Sequence, residues 1–223
     1  MTEIALLDPD RIRIGAGGSR VGRRVLVFRE TKSTNDVAQR LADGGEPEGT
    51  VIFAERQTSG RGQFGRNWDS QDGVGLWFSL LLRPQWPPHG IENLTPLIAV
   101  AIADTLRACT NLKVDIKPPN DIFHAGRKLA GVLTEARTGS ALTAIVGIGI
   151  NVNHRSEDFP PGLRETATSL RIVCGQKVDR EWIASRLLAG IDSLYDPLGL
   201  PDASIHDRYR VLSESWKRDT VTQ

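Results

Sequence analysis

Cysteine is scarce in this chain of 223 residues, which contains only Cys109 and Cys174. The two lie far apart in the sequence and form no C-x-x-C pair. This spacing argues against a zinc site or a disulfide scaffold and fits a reducing compartment. Both cysteines are therefore expected to be small buried residues.

An excess of charge of either sign is also missing. The 28 lysines and arginines nearly balance the 27 aspartates and glutamates, for a net charge of +1. No global field therefore attracts nucleic acid or a membrane surface. The chain also lacks a signal-peptide pattern and an apolar run of about 18 residues, which predicts a cytoplasmic protein without a membrane partner.

The length fits one large domain or a domain with a small appendage. Residues 1–23 are mixed in composition and are predicted to be an N-terminal tether, with the folded domain over 24–223. Apolar runs and turn residues predict strands at 25–28, 51–54, 74–82, 112–116 and in two hairpins within 122–150, with the second turn at 137–140. Apolar periodicity predicts helices that begin near Thr34 and at about 91–108, 179–195 and 204–217. Hairpins with flanking helices indicate an α+β fold.

A glycine-rich loop, 57–68, is the most distinctive stretch of the sequence. Its glycines allow a backbone to approach a ligand closely, and Arg61 and Arg66 add fixed positive charge. The loop matches neither the Walker phosphate loop nor the dinucleotide fingerprint. An anionic small molecule is the ligand that it favours, and a flexible surface loop is the alternative.

Other polar clusters stand at strand ends or strand–helix junctions, at 33–35, 117–121, 127–131 and 147–153. Their convergence with the loop would form one deep site. Two simpler interpretations stay open, which are helix capping for 33–35 and a solvated lysine for Lys128.

These segments together resemble the biotin protein ligases. The shared motifs are Ser-Thr-Asn before a helix, Gln-Thr-x-Gly-Arg-Gly-x-x-Gly-Arg-x-Trp after a strand, Lys-x-Pro-Asn-Asp, Arg-Lys-Leu-Ala-Gly-Val-Leu and Gly-x-Gly-Ile-Asn-Val-Asn, in order over about residues 24–154. The resemblance implies a mixed, largely antiparallel sheet with flanking helices, similar to the catalytic domains of class II aminoacyl-tRNA synthetases and of biotin and lipoate ligases.

The resemblance also implies a reaction. Biotin and ATP form biotinyl-5′-adenylate with the help of Mg²⁺, and the biotinyl group then passes to a lysine of a biotin carboxyl carrier protein. A homodimer is a further expectation, whereas nucleic acid is not an expected partner.

Site residues are assigned by the same resemblance. Lys128, Arg61 and Asp121 are implied to be catalytic, with Asp121 also a candidate Mg²⁺ ligand. The implied biotin-binding residues are Ser33, Thr34, Asn35, Gln57, Gly60, Arg61, Gly62, Gln63, Lys128, Gly131 and Gly149. The implied nucleotide-binding residues are Arg66, Trp68, Asn120 and Asn151. For Trp68 the alternative is a core tryptophan that anchors the end of the loop.

The chain departs from the family pattern in three places. Gln63 stands where the loop usually has arginine, and Pro118 where the Lys-x-Pro-Asn-Asp motif usually has tryptophan. The C-terminal β-barrel appendage and the N-terminal helix-turn-helix are not apparent, so no repressor role is expected. A non-catalytic module that binds biotin or its adenylate is therefore one alternative function, and a lipoate or octanoate ligase is the other.

Overall fold

The computed structural model describes residues 6–18, 20–139 and 142–221. Within these residues, seven strands form one sheet in the order β1-β2-β3-β7-β6-β5-β4. The first two strands are parallel and the other neighbouring pairs are antiparallel. The sheet is therefore mixed and largely antiparallel, as the resemblance implied. The strands are β1 (Arg24–Thr31), β2 (Thr50–Gln57), β3 (Gly75–Leu82), β4 (Asp115–Lys117), β5 (Asp121–His124), β6 (Arg127–Thr138) and β7 (Leu142–Asn151).

Helices cover both faces of the sheet. They are α1 (Pro9–Ala16), α2 (Thr34–Asp43), α3 (Leu94–Thr110), α4 (Leu170–Cys174), α5 (Arg180–Leu194) and α6 (Ala203–Val221). The main core lies on the face where α3 and α5 pack, and it includes the predicted apolar stripe of α3 from Leu94 to Leu106. On the other face, α2 covers a smaller cluster that contains Val37, Leu81 and Ile145. The polar segments singled out in the sequence lie over the rest of that second face.

The N-terminal segment differs from the prediction. A tether was expected over residues 1–23, but residues 9–16 form α1, which packs against α5. Its Ile12 is fully buried in the main core. The Asp8 carboxylate caps the helix by accepting hydrogen bonds from the backbone N–H groups of Asp10 and Arg11. Composition alone does not predict this helix, because charged residues separate its few apolar ones.

Two further details of the prediction need correction or completion. The run 25–28 was expected to be a fully buried strand, yet β1 lies at the sheet edge and Phe28 is 37% exposed. A turn was predicted at 137–140, but Arg137 and Thr138 belong to β6, and Ser140 lies outside the described residues. Cys109 and Cys174 are free and half-buried. Across the described part of the chain, no helix is both long and apolar enough to cross a membrane.

Candidate active site

A cavity of about 690 Å³ opens on the sheet face beside α2. All the site residues that the resemblance implied line this cavity, with the exception of Gly60. Those that do are Ser33, Thr34, Asn35, Gln57, Arg61, Gly62, Gln63, Arg66, Trp68, Asn120, Asp121, Lys128, Gly131, Gly149 and Asn151. Gly60 faces its own loop instead, because a Cβ there would lie 2.5 Å from the Trp68 carbonyl oxygen and 2.8 Å from Ser70 Oγ.

Residues with little or no side chain form the cavity floor. Gly147 and Gly149 alternate on β7, Ser79 of β3 pairs with Gly147, and Gly131 of β6 pairs with Gly149. A Cβ on Gly149 would lie 2.5 Å from the Trp68 indole, and a Cβ on Gly131 would lie 3.0 Å from it. Side chains at these two positions would intrude, and the nearest group that they would meet is Trp68.

A network of hydroxyl and amide groups forms the α2 end of the cavity. Ser79 Oγ lies 2.7 Å from Thr34 Oγ1 and 2.5 Å from Asn35 Oδ1. The backbone N–H and the hydroxyl of Thr34 both donate to Gln57 Oε1, at 2.8 and 3.1 Å. These partners fix the polar groups in place before any ligand arrives. Ser33 is buried and makes no side-chain capping bond, so capping does not explain its presence.

Two carboxylates hold the Arg61 side chain. Its Nη1 lies 2.7 Å from Asp36 Oδ1, and its Nη2 lies 3.3 Å from Glu135 Oε2. Glu135 Oε2 also accepts a hydrogen bond from Asn35 Nδ2 at 2.7 Å. Burial lowers the pKa of Arg61, but Asp36 and Glu135 outweigh this effect and leave the pKa raised. The guanidinium therefore stays charged and is positioned by α2 and β6.

Lys128 is the second residue of β6 and lies at the other end of the floor. Its Nζ lies 2.7 Å from Asp121 Oδ1 and 5.0 Å from the centroid of the Trp68 ring. The Lys128 N–H donates to the Thr166 carbonyl at 2.7 Å, and the Lys128 carbonyl accepts from the Thr168 N–H at 2.9 Å. The backbone is thus fixed, while the side chain remains 32% exposed and open to a ligand.

Arg61 and Lys128 come from distant parts of the chain and line the same cavity. Arg66 of the same loop lines it too. Fixed cations in a partly water-excluded cavity stabilise negative charge much better than cations in bulk water do. The cavity is therefore suited to a ligand that carries more than one anionic group.

Three of the residues assigned to the nucleotide already contact other parts of the protein, either a backbone carbonyl or an aromatic ring. Asn120 Nδ2 donates to the Val132 carbonyl at 2.6 Å, and Asn151 Nδ2 lies 3.5 Å from the Lys128 carbonyl. Trp68 contacts Trp77 edge to face, with ring centroids 6.3 Å apart. The buried Nε1 of Trp68 has no hydrogen-bond partner, which leaves one donor for a ligand in the cavity.

His154 also lines the cavity, and the sequence analysis did not single it out. Its ring stacks on Phe159, with centroids 4.8 Å apart and an interplanar angle of 12°. Burial lowers the pKa of His154 to about 4, against the opposing effects of Asp158 and Asp69. The imidazole is therefore neutral at pH 7 and acts as an aromatic wall.

The sequence analysis also missed Trp216, which lines the cavity, and Asp36, Ser79 and Glu135, which hydrogen-bond to or pair with its polar lining residues. Asp36 directly follows the Ser-Thr-Asn cluster, so a signal for it was present. Ser79 and Glu135 stand within strands, and only the register shows that they face α2. Trp216 comes from α6, a helix in which the sequence analysis named no site residue.

The fold and the cavity together define an α+β protein with a cavity that is lined by Arg61, Arg66 and Lys128 and lies over a glycine floor. The Biotin/lipoate A/B protein ligase family model matches residues 27–153. The Bifunctional ligase/repressor BirA of Bacillus spizizenii is 40% identical over 191 residues, covering 85% of this chain and 59% of that protein. The Biotin--[acetyl-CoA-carboxylase] ligase of Mycobacterium tuberculosis is 34% identical over 194 residues, covering 81% of this chain and 66% of that protein.

A solved structure agrees with these relatives. Biotin protein ligase from Aquifex aeolicus in complex with biotin and ATP is 35% identical, with a TM-score of 0.66 over 77% of this chain and 69% of that chain. This chain belongs to the biotin/lipoate A/B protein ligase family. It spans 59% of the length of the Bacillus relative, and the matched residues 27–153 include the glycine-rich loop, the floor and Lys128.

Proposed function

We propose that this chain is an ATP-dependent biotin ligase that forms biotinyl-5′-adenylate and transfers the biotinyl group to a lysine of a biotin carboxyl carrier protein. The observation that carries the proposal is the presence of Arg61 and Lys128 on one glycine-floored cavity. The similarity to a biotin protein ligase in complex with biotin and ATP supports the identity of the two small substrates.

The polar network at the α2 end would receive the head group of biotin. A cyclic urea has one carbonyl acceptor and two N–H donors, and it needs hydroxyl and amide partners when it is buried. Thr34, Asn35 and Gln57 offer both kinds of group in fixed positions. With the head group there, the valeryl chain would extend over Gly149 towards Lys128.

In the first step, an oxygen of the biotin carboxylate attacks the α-phosphorus of ATP. The bond from the α-phosphorus to the bridging oxygen breaks, and pyrophosphate leaves with the electron pair. Because both reactants are anions, the cavity must supply cations where they meet. Lys128 and Arg61 supply them, and the five N–H donors of Arg61 allow it to contact a ligand while it keeps a bond to Asp36.

In the second step, the ε-amine of the carrier lysine attacks the acyl carbon of the adenylate. The carbon–oxygen bond to AMP breaks, AMP leaves, and the amine loses a proton as the amide forms. The mixed anhydride must be kept from water until the carrier arrives. Loop residues Gly62, Gln63 and Arg66 line the cavity mouth and would cover the intermediate.

Mg²⁺ belongs to the same proposal. Mg²⁺ in nucleotide sites usually takes one or two carboxylates together with phosphate oxygens. Asp121 faces the cavity and would hold the ion, although its Oδ1 also contacts Lys128. Among the described residues, no group of three acidic, histidine or cysteine side chains could hold a metal by itself, which fits an ion held mainly by phosphates. When bound, Mg²⁺ would neutralise phosphate charge.

Three broader expectations complete the proposal. The described residues, with α1 included, act as one catalytic domain, the reaction takes place in the cytoplasm, and two copies pair as a homodimer. Nucleic acid plays no part in the reaction.

Incubation of the chain with biotin, ATP and Mg²⁺ tests the proposal. We expect pyrophosphate release that depends on biotin, followed by labelling of an added biotin carboxyl carrier protein at a lysine. The matched control replaces biotin with octanoate or lipoate and should release no pyrophosphate. Tight binding of biotin without pyrophosphate release would instead identify a binding module, and release with octanoate would identify the other ligase class.

A further inference from the structure

The Glu135 side chain connects three elements that border the α2 end of the cavity. Glu135 stands on β6, opposite Ile145 of β7, on the sheet face that α2 covers. Its Oε2 accepts a hydrogen bond from Asn35 Nδ2 of α2 at 2.7 Å, and Arg61 Nη2 of the glycine-rich loop lies 3.3 Å from the same oxygen. Within the described part of the chain, Glu135 is not among the cavity-lining residues. Any effect on a ligand would therefore pass through its two neighbours.

The Asn35 amide depends on Glu135 for its orientation. An ionised carboxylate only accepts hydrogen bonds, so it faces the NH₂ end of an amide and not the carbonyl end. The Ser79 hydroxyl, 2.5 Å from Asn35 Oδ1, can donate or accept and therefore tolerates either end. Of these two contacts, the one with Glu135 decides which end of the amide faces the cavity floor.

This amide stands where a ligand would meet it. A Cβ on Gly147 would lie 2.5 Å from Asn35 Oδ1 and 3.1 Å from Asn35 Nδ2, so the amide lies directly over the glycine floor. Asn35 is buried and lines the cavity. Reversal of the amide would exchange a donor for an acceptor and leave a polar group of a buried ligand unpaired, which costs affinity.

Glu135 also completes the anchor of the glycine-rich loop. Asp36 of α2 holds Arg61 Nη1 at 2.7 Å, and Glu135 holds Arg61 Nη2 from the β6 side. Two contacts from two elements fix the plane of the guanidinium, whereas Asp36 alone would leave it free to turn. The Arg61 backbone forms an isolated β-bridge with Asn67, so the side-chain anchor also restrains the loop.

Charge alone predicts the opposite effect of Glu135 on an anionic ligand. Two carboxylates surround the single guanidinium of Arg61, and the proposed ligand is itself an anion. If only the charge of Glu135 mattered, its removal should tighten binding, because like charges repel. Weaker binding after its removal would instead come from lost positioning. The sign of the change therefore separates the two effects.

We propose that Glu135 is a positioning residue for biotin, which orients the Asn35 amide towards the head group and holds Arg61 beside it. The inference rests on the proposed function, because it takes the ligand at the α2 end to be biotin. ATP would meet biotin near Lys128, at the other end of the floor, so its binding should depend little on Glu135.

Calorimetric titration with biotin tests the inference. Glu135→Ala should raise the Kd for biotin about tenfold, as expected for the loss of one hydrogen bond to a charged group, and leave the KM for ATP within about twofold. Glu135→Gln keeps the size of the side chain but cannot fix the amide orientation, so it should also bind biotin more weakly. Glu30→Ala is the matched control, because Glu30 pairs with Arg56 at 2.8 Å, is similarly exposed and does not line this cavity. It should change neither value.

A double-mutant cycle shows whether Glu135 acts through Asn35. In an Asn35→Ala background, Glu135→Ala should raise the Kd by clearly less than it does in the wild type. Full additivity, or an unchanged or lower Kd in Glu135→Ala, would overturn the inference. So would an equal rise of the Kd for biotin and the KM for ATP together with a lower Tm, because it would indicate a structural role.

The titration needs no turnover, which keeps the two proposals apart. A wild-type protein that binds biotin but forms no adenylate contradicts the proposed function and leaves the comparison of Kd values decisive. A wild-type protein that does not bind biotin would overturn both.

Discussion

A buried ion pair gives the sharpest stability prediction. Glu55 of β2 is 0% exposed and Arg180 at the start of α5 is 11% exposed, and Arg180 Nη1 lies 2.6 Å from Glu55 Oε2. Arg180 also donates to the Gly75 carbonyl at 3.2 Å, and Glu55 Oε1 accepts from the Leu7 N–H at 2.6 Å. Arg180→Met removes the cation and leaves the carboxylate buried without its ion-pair partner.

Removal of one member of a buried pair costs about 3–5 kcal/mol in the free energy of unfolding. That is a large part of the roughly 5–15 kcal/mol by which most domains are stable. At roughly 2–4 °C per kcal/mol for a domain of this size, Tm should fall by about 6–20 °C. Urea unfolding followed by circular dichroism measures the free energy, and Glu55→Gln combined with Arg180→Met should regain part of the loss.

Arg210→Met is the matched control, because Arg210 forms exposed pairs with Asp207 and Glu214 on α6. Pairs of this kind contribute about 1 kcal/mol or less. A loss in Arg180→Met no larger than in Arg210→Met would refute the reasoning from burial.

Three further predictions concern the cavity. Gly149→Ala places a Cβ 2.5 Å from the Trp68 indole, so urea unfolding should show a loss of about 1–3 kcal/mol and adenylate formation should slow; unchanged values would contradict the contact. The folded-state pKa of His154, about 4, lies below its ordinary 6.5, so the unfolded chain takes up the proton first and stability falls from pH 6.5 to 4. At about 1.4 kcal/mol per pKa unit, the loss in the free energy of unfolding approaches roughly 3 kcal/mol. Unfolding curves of His154→Phe should not show this loss. An equal loss in His154→Phe would mean that other groups cause it. Gln63→Arg adds a guanidinium at the cavity mouth and should slow adenylate release severalfold in a filter-binding assay, whereas an unchanged off-rate would mean that residue 63 does not hold the intermediate.

The fold could be predicted where local pattern and topology agree. The first hairpin of 122–150 and the apolar stripe of α3 depend on neighbours in sequence, and both appear in the structure as expected. The α1 helix escaped prediction because Ile12 is buried by a contact with α5, about 170 positions later. Local composition carries no sign of such a contact.

The candidate site could also be predicted only in part. The family resemblance implied one site for Arg61 and Lys128, and both side chains line the same cavity. Without the resemblance, a flexible surface loop and a solvated lysine stayed open. Glu135 could not be identified, since its role depends on the register of β6 against β7 and on the docking of α2. Trp216 could not be identified either, because its place depends on where α6 packs.

Pyrophosphate release from biotin and ATP by the wild-type chain and by Lys128→Gln tests the central claim most directly. Lys128 places its ammonium beside Asp121 on the cavity wall, where the proposal brings two anions together. Loss of such a preorganised charge costs about 100–1,000-fold in rate. The account predicts biotin-dependent release by the wild type and a decrease of that size in Lys128→Gln. Equal rates in the two proteins would contradict it.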